Sequence, residues 1–162
     1  MLEKKVCMVG APGVGKTSLV RRFVESVFSE RYHSTIGVKV DKKVVAVDGR
    51  ELGLVLWDLE GADELTPLSL AYFRGAAGYL LVVDGTRATT LEAARELRDA
   101  TEAQLGSLPH LVLLNKTDLP DAWAVGDGAI LAGAGADVRR TSAKTGSGVE
   151  EAFLALGARL LG

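Results

Sequence analysis

The chain has 162 residues, 48% of them hydrophobic, which is enough for one domain with a sizeable core. A formal net charge of -2 gives no electrostatic reason to expect nucleic acid as a partner, and no apolar run approaches the ~20 residues that span a bilayer. The single cysteine, Cys7, cannot form an internal disulfide; it sits in an apolar run, is expected to be a buried strand residue, and fits a reducing, cytoplasmic setting.

Val6–Gly10 reads as a buried strand, and Lys16–Val27 as a helix with Leu19, Val20, Phe23, Val24 and Val27 on one face. Residues 28–37 are polar without regular period and read as a loop. Val38–Val47 and Glu51–Trp57 are β-rich segments joined at Asp48-Gly49, a strong hairpin signal. A helix over Asp63–Arg74, a strand over Tyr79–Asp84, a helix over Leu91–Leu105 and a strand over His110–Asn115 follow. A helix near 122–132, the least certain because residues 124–137 are rich in glycine, precedes a short strand at 137–141 and a last helix at 148–161. This alternation predicts a three-layer α/β domain over residues 1–162: a six-stranded, mostly parallel sheet with one antiparallel edge strand and about five helices.

Gly10-Ala11-Pro12-Gly13-Val14-Gly15-Lys16-Thr17 matches G-x-x-x-x-G-K-[ST], between a strand and a helix as the motif requires. Glycines let the backbone curl so that successive N–H groups, through Gly13, Val14, Gly15, Lys16, Thr17 and Ser18, face phosphate oxygens at a helix N-terminus. Lys16 brings a charge to the distal phosphates, and the Thr17 hydroxyl can ligate Mg²⁺. The motif alone leaves kinase, ATPase and GTPase open.

Asn115-Lys116-Thr117-Asp118 follows a buried strand at the carboxyl end, where doubly wound sheets bind ligands. Guanine offers two adjacent donors, N1–H and the N2 amine, that one carboxylate, Asp118, can accept together; adenine lacks that pair. Asn115 can bond the base and neighbouring loops, and the Lys116 stem can cover the base face. Ser142-Ala143-Lys144, after the last strand, resembles the S-A-K loop of guanine-binding domains, a likeness that implies that the Ala143 N–H meets the guanine O6. Phe28 can pack edge-on against the base or serve as an ordinary core aromatic.

With Thr35-Ile36-Gly37, Trp57-Asp58-Leu59-Glu60-Gly61 and Tyr72-Phe73-Arg74-Gly75 added, the chain resembles the small GTPases of the Ras superfamily, nearest the Rab branch, over essentially its whole length. The Ala-, Gly-, Leu- and Arg-rich composition points to a prokaryotic relative. The resemblance implies GTP and GDP binding with Mg²⁺, slow hydrolysis, and an exchange factor, an activating protein and an effector reached through residues 28–40 and 60–74. Position 2 is Leu and the end is Leu160-Leu161-Gly162, so no lipid anchor of its own is expected; separately, a monomer is expected.

The same resemblance implies that Thr35 ligates Mg²⁺ only when the γ-phosphate is present, that Asp58 holds Mg²⁺ through water, and that Gly61 offers its N–H to the γ-phosphate. Lys16, Thr35 and Gly61 are thus the candidates for transition-state contacts, with Arg74 structural. The sequence departs from the family where a glutamine orients the attacking water: Ala62 stands there, and Glu60 precedes Gly61. Glu60 either turns away, repels the phosphate, or contacts water and partly substitutes for the glutamine. Asp63 and Glu64 are further candidates to orient the water, although acids at a helix start usually cap it, and His33 reads as a solvated loop residue. Pro12 removes one N–H from the phosphate loop but is tolerated by the motif. Two readings follow: a GTP/GDP switch with very slow hydrolysis, or a nucleotide-locked module that does not cycle. A kinase or ATPase is disfavoured by Asp118.

Overall fold

The computed structural model describes residues 2–25, 38–59, 70–126 and 137–162. Six strands form one sheet in the order β2-β3-β1-β4-β5-β6. They are β1 (Leu2–Gly10), β2 (Val38–Val47), β3 (Arg50–Leu59), β4 (Ala76–Asp84), β5 (His110–Asn115) and β6 (Asp137–Arg140). β2 pairs antiparallel with β3, and every other pairing is parallel. The edge hairpin turns at Asp48 (φ 51°) and Gly49 (φ 76°). Positive φ at both turn residues is what a two-residue type I′ connection demands, and Asp-Gly supplies it at low cost.

Alternation along the central strands sorts the core into two halves. Val6, Met8, Leu54, Leu56, Leu80, Val82, Leu111 and Leu113 face α1 (Lys16–Glu25) and α4 (Val149–Leu161), whose Phe23 and Phe153 rings stack at 4.1 Å between centroids. Cys7, Val9, Tyr79, Leu81, Val83, Val112 and Leu114 face α3 (Ala88–Leu105) on the other side. Each such side chain contributes roughly 1.5–3 kcal/mol by leaving water. Cys7 is fully buried as expected, and burial pushes its thiol up to about 12.

Among the described residues the helices are α1, α3, α4 and the four-residue α2 (Leu70–Phe73). The expected helix near 122–132 begins differently. Pro120–Ala122 makes one 3₁₀ turn, and Trp123 turns extended (φ -63°, ψ 126°). The reason is local: the Ala124 N–H donates to Gly85 O at 2.7 Å, drawing the chain along the end of β4. Residues 127–132 of that expected helix, and residues 63–69 of the helix expected at Asp63–Arg74, lie outside the described residues.

Topology positions the site. β1 lies between β3 and β4, where the sheet changes its direction of winding, and open α/β sheets bind ligands at the carboxyl ends of strands flanking that point. Register brings Met8 beside Asp58, Gly10 beside Val82, and Asp84 beside Asn115, so the ends of β1, β3, β4 and β5 form one rim.

Candidate functional site

The loop from Gly10 to Thr17 leaves β1 at this rim and runs into α1. Gly10 (φ 158°) lies so close to β4 that a Cβ there would stand 2.5 Å from Val82 O. At Gly15 (φ 106°) a Cβ would stand 2.4 Å from Asn115 Nδ2. Only glycine lets the loop pass both points. Lys16 is fully buried, and its ammonium donates to Gly10 O at 2.7 Å, which folds the side chain back over the loop. Ser18 follows in the first turn of α1, half-buried.

Thr17 and Asp58 meet across the rim: the Thr17 hydroxyl donates to Asp58 Oδ2 at 2.5 Å. Asp58 is 1% exposed, and its Oδ1 is buried without a hydrogen-bond partner among the described residues. Burial pushes the Asp58 carboxyl above the usual range, against the opposing pull of the Thr17 bond and the Lys16 charge. A buried oxygen left without a donor, beside a hydroxyl, is the hard-oxygen chemistry a Mg²⁺ ion or its water takes. The residues present therefore fit the metal.

Asn115 joins the two ends of the rim. It is 2% exposed; its Nδ2 donates to Val14 O at 3.0 Å, and its Oδ1 accepts from Thr141 Oγ1 at 3.1 Å and from Ala143 N at 3.3 Å. One amide thus ties the phosphate loop to the loop after β6. Ser142 and Ala143 are buried, Lys144 is exposed, and the Ser142 hydroxyl donates to Asp118 Oδ1 at 2.7 Å. That bond orients the Asp118 carboxylate, which remains half-buried. Lys116 holds a left-handed φ of 75°, a conformation that costs a non-glycine residue of order 1 kcal/mol. Its ammonium bridges Asp84 Oδ2 at 2.8 Å and Gly13 O at 3.1 Å, interactions that offset the strain.

Three charged residues not foreseen from the sequence belong to this network. Asp84, 1% exposed at the end of β4, accepts at Oδ1 from Thr86 N and Thr86 Oγ1 and at Oδ2 from Arg87 and Lys116. Burial alone raises the Asp84 carboxyl, but the bonds from Lys116 and Thr86 together outweigh it and hold it below the usual range. Arg87 reaches Pro12 O at 2.8 Å. Arg22, on α1, donates to Ala143 O at 2.8 Å and also to Lys144 O. The available signal was an aspartate closing a buried strand at the ligand-binding edge. Arg74, read as structural, is exposed, and its carbonyl accepts from Lys5 Nζ at 2.8 Å. Phe28, His33, Thr35, Glu60, Gly61, Ala62, Asp63 and Glu64 lie outside the described residues.

A phosphate loop at the switch point of a six-stranded sheet defines the class: a P-loop α/β nucleotide-binding domain. The sequence pattern of the Ras family matches residues 5–161. Ras-related protein Rab-8B of Homo sapiens is 35% identical over 156 residues, covering 94% of this chain and 75% of that protein, and Rab-8B of Pongo abelii gives the same values. Ras-related protein Rab11E of Lotus japonicus is 39% identical over 122 residues, 71% of this chain and 53% of that protein. The chain belongs to the Ras family and is a small GTP-binding switch protein of the Ras/Rab kind. No described helix is long and apolar enough to cross a membrane.

Proposed function

We propose that residues 1–162 form one guanine-nucleotide switch domain that hydrolyses GTP very slowly on its own. Gly13, Val14, Gly15, Lys16, Thr17 and Ser18 hold the phosphates. Asn115, Lys116, Asp118, Ser142, Ala143 and Lys144 read the base, with Phe28 at its edge. Thr17, Thr35 and Asp58 serve Mg²⁺, the last through water. Residues 28–40 and 60–74, with Gly61 at the γ-phosphate, respond to it and meet regulators and effector. The domain works as a monomer in the cytoplasm.

The observation that carries this reading is the Asn115 bridge. The side chain that opens N-K-x-D donates to Val14 O in the phosphate loop and accepts from Ala143 N. Phosphate holder and base reader are therefore one hydrogen-bonded unit. Slow hydrolysis follows from Ala62, which has no side-chain amide to orient water; one missing transition-state contact costs about 3–4 kcal/mol. The same Ala62, together with Glu60, favours a second reading in which the chain binds nucleotide but does not cycle.

Two measurements test this. The nucleotide released on denaturing the purified protein, identified by chromatography, is expected to be GDP or GTP; adenine nucleotide would end the guanine assignment, and GTP persisting for days would favour the locked module. In Asp118→Ala the preference for GDP over ADP is expected to fall by at least ~10², because the paired donors of guanine lose their acceptor. An unchanged preference removes Asp118 from the site.

A further inference from the structure

We propose that Arg87 is a positioning residue that clips the phosphate loop in its ligand-holding shape and so slows release of a bound diphosphate. The proposal rests on the nucleotide-binding reading above and extends it to a residue outside the phosphate and base motifs.

The clip starts from a rigid base. Arg87 is the N-cap residue of α3, and its carbonyl accepts from Thr90 N at 3.0 Å and from Thr90 Oγ1 at 2.7 Å. Its guanidinium is anchored by Nε on Asp84 Oδ2 at 3.0 Å. That carboxylate is itself fixed, since Thr86 N and Thr86 Oγ1 occupy Oδ1 at 2.8 and 2.6 Å. From this anchor Nη2 reaches Pro12 O at 2.8 Å. Asp84 therefore holds two cations, and both bond consecutive carbonyls of the phosphate loop: Arg87 that of Pro12, Lys116 that of Gly13.

Peptide planarity turns this into control of the loop's donors. In a trans peptide the carbonyl oxygen and the following N–H point in opposite directions. Holding Pro12 O toward Arg87 therefore directs the Gly13 N–H the other way. Holding Gly13 O toward Lys116 does the same for the Val14 N–H, which spans the loop to Ala11 O at a long 3.4 Å. That long contact leaves the amide ready for a better acceptor. Gly13 sits at φ 78° and has the freedom to flip this plane; Arg87 removes it.

The guanidinium is half-exposed, so the effect is moderate. Losing one charge-assisted bond to a carbonyl is expected to speed release about tenfold, equivalent to ~1.4 kcal/mol.

The test is dissociation of a fluorescent GDP in the presence of Mg²⁺, chased with unlabelled GDP, for the wild type, Arg87→Ala and Arg87→Lys. Competition affinities for GDP and GMP are measured alongside. Arg87→Ala is expected to release about tenfold faster and to lose a similar factor in its preference for GDP over GMP, because a clip on the phosphate loop acts through the distal phosphate that GMP lacks. Arg87→Lys, which keeps a charge for Asp84 but cannot reach two acceptors as a planar fork does, is expected to fall between. Arg159→Ala, which removes a similarly exposed arginine paired with Asp137 at the outer strand, is expected to release as the wild type does. Unchanged release in Arg87→Ala overturns the clip, as does equal weakening of GDP and GMP, the mark of a purely structural loss. A wild type that binds no GDP sinks the nucleotide reading instead, so the two failures are distinct.

Discussion

Replacing Asn115 with alanine tests how much of the site is assembled by its own side chains. The substitution strips the partner from Val14 O, from the Ala143 N–H and from the Thr141 hydroxyl, at residues exposed by 0%, 4% and 0%. The hydroxyl can rotate toward another acceptor, but the two backbone groups cannot. A buried backbone group left unsatisfied costs about 1–3 kcal/mol, and the small cavity adds to it, giving roughly 3–5 kcal/mol in total. For a domain of this size each kcal/mol lowers Tm by roughly 2–4 °C, so the expected fall is roughly 6–20 °C. Thermal unfolding of nucleotide-depleted protein is the assay, because ligand loss then contributes nothing to the difference. A fall of less than ~2 °C would refute the idea that Asn115 holds the two loops together without a ligand.

Four further outcomes are expected. Asp58→Asn should leave GDP release equally fast with Mg²⁺ or with EDTA, as seen in dissociation traces. The raised Asp58 carboxyl also sets a pH dependence: the metal-free fold binds this proton more tightly than the unfolded chain, so the group favours folding below its unfolded value and loses that contribution as pH rises through its folded one. In acid titrations of metal-free protein followed by urea unfolding, this falling component should vanish in Asp58→Asn; its persistence would assign it elsewhere. Ala62→Gln should raise single-turnover γ-phosphate release by about tenfold or more, and no change would count against the account of slow hydrolysis. Gly85→Ala should destabilise by about 3 kcal/mol in urea unfolding, because the new Cβ would stand 2.0 Å from the Trp123 ring; wild-type stability would show that Trp123 does not seal this corner.

The elements that could be read from the sequence are those whose cause is local. His110–Asn115 was legible because an apolar run buried on both faces has few alternatives, and the hairpin because Asp48-Gly49 accepts two positive φ angles. The start of β1 at Leu2 was hidden by Glu3, Lys4 and Lys5, polar residues on a strand that nevertheless pairs from Leu2 with Leu52. α3 begins at Ala88 rather than Leu91 because Thr90 bonds back to Asp84 and Arg87, a contact that apolar periodicity does not register. The motifs gave Lys16, Thr17, Asn115 and Asp118 their places on the rim, since each lies at a strand end or in the loop or first helical turn that follows one. Arg87 and Arg22 were out of reach: their carbonyl acceptors lie 75 and 121 residues away in the chain, and only the folded sheet brings them together.

The tip of the edge hairpin offers a practical handle. Strand register places Asp48-Gly49 past Leu52, at the end of the sheet away from Gly10, and open space surrounds Gly49. The chain's one native thiol is sealed in the core with a strongly suppressed tendency to ionise. A cysteine introduced at that corner would be the single reactive sulfur in the molecule. A dye or surface tether attached there would sit at the opposite end of the sheet from the phosphate loop, clear of the rim that Asn115 joins.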